Sequence, residues 1–97
     1  MAALLSPDDI ATKLQTLQGW RLSSDGKTLS KELQFADFKA AFAFMTHVAM
    51  VAETMDHHPD WSNVYNTVCV KLSTHDAGGV TERDITLAQA IERILGD

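Results

Sequence analysis

Ninety-seven residues, 45% hydrophobic and 22% charged with a formal net charge of −5, fit one compact domain over 1–97 with a modest core and leave no room for a second. Only eight Lys plus Arg exclude the clustered positive surface that DNA or RNA phosphates require, and the longest uncharged apolar stretch, Ala40 to Ala52, is shorter than the roughly 20 residues of a membrane span. A single cysteine, Cys69, removes intramolecular disulfides, so a chain this small is expected to draw stability from partner subunits or a metal.

The start, MAALLSPDDI, has no basic region and only a short apolar run, so it does not read as a secretory signal. A reducing location, the cytoplasm, is expected; nothing in the chain speaks to a nuclear pool. Ser6, Pro7, Asp8 and Asp9 then form a helix start: a hydroxyl cap, a proline where its missing N–H is harmless, and acids at the positive dipole end. Ile10, Leu14 and Leu17 recur at helical spacing before Gly19, which predicts a helix over 7–17. Trp20 and Leu22, the turn residues Ser23-Ser24-Asp25-Gly26-Lys27, and Leu29, Leu33 and Phe35 read as a β-hairpin. Lys31 interrupts the apolar side of the second strand and suggests an edge position.

Asp37 can cap a helix running to Met55 with Phe38, Ala41, Phe42, Met45, Val48, Ala49, Ala52 and Met55 facing inward. Its other side is also apolar, with Phe44, Met50 and Val51, which predicts self-association through this helix as a dimer or tetramer. His57-His58-Pro59 ends it. Residues 61–64 and 67–74 make a second hairpin turning at Tyr65-Asn66, with Val68, Val70 and Leu72 on one face and Thr67, Cys69, Lys71 and Ser73 on the other. The stretch 75–79 reads as a flexible loop. Thr81 caps a last helix whose stripe is Ile85, Ala88, Ile91 and Leu95, ending at Gly96. The order αββαββα predicts an α+β fold, a four-stranded antiparallel sheet with three helices packed on one face.

Three of the four histidines flank the second hairpin: His57 and His58 before it, His75 after. Hairpin strands of similar length bring their outer ends together, so these imidazoles can meet. Glu53 lies one helical turn before His57, Asp84 lies in the first turn of the last helix, and Trp61 offers a flat wall. Imidazoles titrate near pH ~6.5, so such a cluster can give and take protons while carboxylates orient the rings. Each residue also has a plainer role. Two histidines before a proline can be a polar helix stop, Asp84 can complete a capping box with Thr81, Glu53 can be solvated, and Trp61 can anchor the hairpin core. His47 fits an interface, and Cys69 a small strand hydrophobe. Zinc ligation by the histidines is disfavoured: His57 and His58 diverge beyond the helix, and no His-x-x-x-His pair chelates from one helical face.

Glu53-x-x-x-His57-His58-Pro59-x-Trp61, Leu72-Ser73-Thr74-His75 and Asp84 together resemble the signature of the pterin-4a-carbinolamine dehydratases. The likeness extends from Ser6-Pro7 through Phe38-x-x-Ala41-Phe42-x-Phe44-Met45 to Glu82-Arg83-Asp84-Ile85. It implies dehydration of 4a-hydroxytetrahydrobiopterin to quinonoid dihydrobiopterin, the step that recycles pterin after aromatic amino acid hydroxylation, with no metal or redox cofactor. It also implies His57 and His75 as the acid–base pair and His58 as a substrate-holding catalytic partner. Glu53, Asp56, Trp61, Ser73, Thr74, Asp76 and Asp84 would then orient imidazoles or line the pocket. An alternative implied by the family is a protein-binding module, a dimerisation cofactor and coactivator acting through the apolar helix. The third class weighed is a metallohydrolase.

Overall fold

Ser6 opens the first helix, its hydroxyl accepting from the Asp9 N–H at 3.1 Å, with Pro7 in the first turn where no donor is needed. The computed structural model describes residues 3–96, and α1 spans Pro7–Leu14. This is shorter than the predicted 7–17. From Gln15 to Leu17 each N–H reaches back only three residues, so the chain tightens into turns that still bury Leu17 before Gly19 turns it at φ 85°.

The first hairpin pairs β1 (Arg21–Leu22) with β2 (Leu29–Gln34), and the second pairs β3 (Asp60–Val64) with β4 (Thr67–Leu72). All pairings are antiparallel and the spatial order is β1-β2-β4-β3. Leu29, Leu33, Val68, Val70 and Leu72 point to one side and are buried with residues of α1, α2 (Phe38–Met55) and α3 (Glu82–Gly96) in a single core. The predicted α+β architecture is therefore the observed one, with the sheet's other face uncovered by any helix.

Although β2 lies between β1 and β4, the two-residue β1 pairs only with Leu29 and Ser30, so Lys31 stands at a local edge of the sheet, as expected. It shares the core-facing side with Leu29 and Leu33 and is tolerated there because its ammonium meets Glu92 Oε2 at 2.8 Å and the Gln18 carbonyl at 2.9 Å. The Trp20 indole N–H donates to the same Glu92 oxygen at 3.0 Å, so one α3 carboxylate satisfies two donors arriving from the first hairpin.

Asp37 caps α2 as expected, its carboxylate accepting from the Ala40 N–H at 2.8 Å. The inward face is rotated from the predicted one: Ala41, Phe44, Val48 and Ala52 are buried, whereas Phe38 and Phe42 are 49% and 54% exposed. Phe44 wins the core position by stacking on Phe35 beyond the end of β2, ring centres 5.0 Å apart, and the small side chains at 41, 48 and 52 let the helix sit close to the sheet. The stretch 75–79, expected as a flexible loop, is a closed structure: a 3-10 turn at His75–Ala77, with Thr74 and Gly79 hydrogen-bonded across it in both directions. Beyond it, the chain start is fastened alongside, Leu5 N–H donating to the Val80 carbonyl at 3.0 Å and Leu4 bridging to Thr81. Among the described residues, no helix is long and apolar enough to cross a membrane.

Candidate active site

Helix α2 ends in a way that aims the two adjacent histidines. Asp56 takes the left-handed conformation (φ 52°), its N–H bonds the Glu53 carbonyl and that of His57 bonds the Ala52 carbonyl, both at 3.1 Å. This is the Schellman arrangement with an aspartate where glycine is the usual choice. The Arg83 guanidinium donates to the Asp56 carbonyl at 2.6 Å, tying this cap to the start of α3. The chain therefore turns sharply between Met55 and His57, and the two imidazoles leave in different directions.

His57 turns inward and is 7% exposed. Its Nε2 lies 2.6 Å from Asp84 Oδ1, and Asp84 is fully buried. The second carboxylate oxygen accepts from the Thr81 N–H and the Thr74 hydroxyl, each at 2.9 Å. Thr74 spends its only hydroxyl proton there, so the 2.6 Å contact between the two threonine hydroxyls is donated by Thr81, whose oxygen in turn accepts from the Arg83 N–H. Asp84 thus closes the capping box of α3 with one oxygen and contacts His57 with the other. An acceptor-only carboxylate places the ring proton on Nε2, which leaves Nδ1 as the free nitrogen. No buried side-chain nitrogen or oxygen among the described residues lacks a partner, so Nδ1 keeps contact with solvent.

His58 turns outward and meets Glu53 Oε1 at 2.8 Å, in a pair whose members are 57% and 81% exposed; water screens it, so it adds little to the stability of the fold. His57, His58 and His75 nevertheless line one polar cleft of about 260 Å³, together with Asp56, Ser73, Thr74, Asp76 and Arg83. His75 arrives there on the 3-10 turn. Glu53 and Asp84 stand behind His58 and His57 outside the cleft wall. Trp61 lies away from it: paired with Val70 on the core-facing side of the sheet, it packs half-buried against the hydrophobic cluster. Among the described residues, no group of three or more His, Cys, Asp or Glu is arranged to hold a metal ion.

Arg83 is the cleft residue that residue-by-residue reading did not single out. Its bond to Asp56 spans 27 positions, and the sequence signal available was its place beside Asp84 in the first turn of α3.

The family model described as pterin 4 alpha carbinolamine dehydratase matches residues 3–94. Proteins of Mesorhizobium japonicum, 54% identical over 95% of this chain and 94% of the relative, and of Afipia carboxidovorans, 51% identical over 97% and 94%, carry the provisional name pterin-4-alpha-carbinolamine dehydratase. A crystal structure described as a transcriptional coactivator/pterin dehydratase from Brucella melitensis superposes with a TM-score of 0.90 at 40% identity, covering 93% of this chain and 96% of that one. A pterin dehydratase-like protein described as a RuBisCO assembly factor of the alpha-carboxysome shares the fold alone, with a TM-score of 0.69 at 21% identity over 82% and 93%. On the matched model, the extent of these identities and the fold, the chain belongs to the pterin-4a-carbinolamine dehydratase family.

Proposed function

We propose that the chain dehydrates 4a-hydroxytetrahydrobiopterin to quinonoid dihydrobiopterin and water, returning pterin to aromatic amino acid hydroxylases in the cytoplasm. The observation that carries this reading is the buried Asp84–His57 contact beneath a cleft that His58 and His75 also line. Hydroxide is a poor leaving group. A histidine N–H that protonates the 4a-oxygen lets it depart as water, the neighbouring ring nitrogen lone pair assists, and a neutral imidazole then takes a ring N–H proton. The C–O bond breaks, no electrons leave the pterin, and one proton is given and one taken.

In this scheme His57 and His75 are the acid–base pair. Asp84 fixes the His57 tautomer so that Nδ1 is the working nitrogen, as buried carboxylates do for catalytic imidazoles elsewhere. His58, steered by Glu53, holds substrate, and Ser73, Thr74, Asp56 and Asp76 supply hydrogen bonds around it. Stopped-flow decay of 4a-hydroxytetrahydropterin with and without the protein tests the reading: acceleration is expected, and decay at the spontaneous rate overturns it.

A second reading, a protein-binding module, is favoured by the exposed α2 face, where Phe38 and Phe42 stack with ring centres 5.6 Å apart and Met50 is 67% exposed. The simplest occupant of such a face is a second copy of the helix, giving a dimer or tetramer. Sedimentation of the purified protein separates the two uses: a homo-oligomer supports self-association, and a monomer that binds a partner supports the module.

A further inference from the structure

Thr81 is a buried residue whose side chain the proposed scheme does not use. Its backbone is fixed by an antiparallel bridge to Leu4, and its hydroxyl donates to that of Thr74 at 2.6 Å. Thr74, also buried, donates in turn to Asp84 Oδ2 at 2.9 Å, and the other Asp84 oxygen meets His57 at 2.6 Å. The donors run one way, from hydroxyl to hydroxyl to carboxylate, and among buried groups each such bond polarises the next. Thr74 also begins the turn that carries His75. Its N–H donates to the Gly79 carbonyl at 2.8 Å, and its own carbonyl accepts from the N–H groups of Ala77, Gly78 and Gly79. Among the described residues, the side-chain hydrogen bonds that join this turn to α3 are those of the Thr74 hydroxyl. One residue therefore serves both histidines: through Asp84 it reaches His57, and through its backbone it carries His75. The Thr81 proton is what holds the Thr74 side chain in that position, since without it the Thr74 oxygen is a buried acceptor that has lost its donor.

We propose that Thr81 is a positioning residue, its hydroxyl fixing His57 and His75 relative to each other through Thr74. The kinetic part of the proposal rests on the dehydratase reading, whereas the placement of the two rings can be read without turnover. Thr81→Val keeps the side chain's shape and removes the hydroxyl, leaving the Thr81 N–H on Asp84; Thr81→Ser restores the hydroxyl. In the stopped-flow assay the valine variant is expected to lower kcat by about 10- to 100-fold with little change in KM, as small misplacements of reacting groups do, and the serine variant to stay near the parent. NMR of histidine-labelled protein reads the placement itself. The His57 Nε2–H signal, identified by its loss in His57→Ala, and the ring C–H signals of His75 should both move in Thr81→Val and hold in Thr81→Ser. The valine also deprives the Arg83 N–H of its acceptor, so a second cap variant is the control: Asp37→Ala, at the end of α2 remote from His57, should melt lower yet leave kcat and both sets of signals unchanged. Parent kcat in Thr81→Val, unmoved signals of either histidine, or equal displacement in Thr81→Ser overturns the positioning role. If the valine variant does not fold, Thr81→Ala is read in the same way. A parent protein that accelerates nothing overturns the dehydratase reading, and the histidine signals then decide the positioning role on their own.

Discussion

Asp84 carries two duties on one carboxylate, and its substitution should reveal both. In Asp84→Asn the amide brings an N–H where only acceptors fit, facing either the His57 N–H or the Thr74–Thr81 donors. Stability is expected to fall by about 1–3 kcal/mol in urea unfolding, the cost of a buried unsatisfied group, and kcat to fall as well because the tautomer of His57 is no longer fixed. His57→Ala separates the duties. It should lower kcat by about 10²–10⁴ in the stopped-flow assay while the Asp84 carboxylate keeps its bonds to the Thr81 N–H and the Thr74 hydroxyl. Each histidine was legible from the sequence because its spacing relative to a proline-terminated helix and a hairpin placed it at the same end of the fold. The environment behind each was less so. That His57 is buried and His58 exposed depends on the left-handed residue at position 56, which no pattern of apolar residues encodes, and the plainer role expected for Trp61, as hairpin anchor, is the one its position matches.

At the scale of elements, caps and turns were the most readable features because their chemistry is local. Asp37→Ala should cost about 1 kcal/mol by chemical denaturation, since the carboxylate satisfies a first-turn N–H of the longest helix. The hairpin turn offers a pH test. The Asp25 carboxyl is held below its ordinary range, first by the Ser23 hydroxyl donating at 2.6 Å and then by the Lys27 N–H at 3.0 Å. A carboxyl with a lowered folded-state value stabilises fully above its unfolded-state value and loses that contribution as pH falls through the folded one. The melting-temperature advantage of the parent over Asp25→Ala should therefore be constant near neutrality and shrink below about pH 4. The turn carrying His75 depends on Gly78 at φ 77°, so Gly78→Ala should destabilise by about 1 kcal/mol and weaken the histidine's placement. Helix α2 shows where periodicity stops short. A helix apolar on two sides offers two stripes of similar hydrophobicity, and the choice between Phe42 and Phe44 was made by Phe35 at the far end of another element, a contact that only the assembled sheet supplies.

Over the whole molecule, the arrangement separates two surfaces. The histidine cleft lies at one end of the sheet, where β3 begins and β4 ends, and the exposed phenylalanines lie along the outside of α2. Phe42→Glu should therefore shift the sedimenting species toward monomer; an oligomer unchanged by this substitution would place the contact elsewhere. The total apolar content and the lack of disulfides foretold surplus hydrophobic surface, and the structure puts it on Phe38, Phe42 and Met50.

The fastening of Leu4 and Leu5 to Val80 and Thr81 has a practical side. The backbone between the His75 turn and α3 also holds Leu4 and Leu5, so a graft ahead of Leu4 is expected to disturb the segment that leads into Arg83. The far end of α3 lies about 20 Å of helix away from Glu82. Affinity handles for kinetic work belong at that end, and a handle at the other should register as altered turnover before it registers as altered melting.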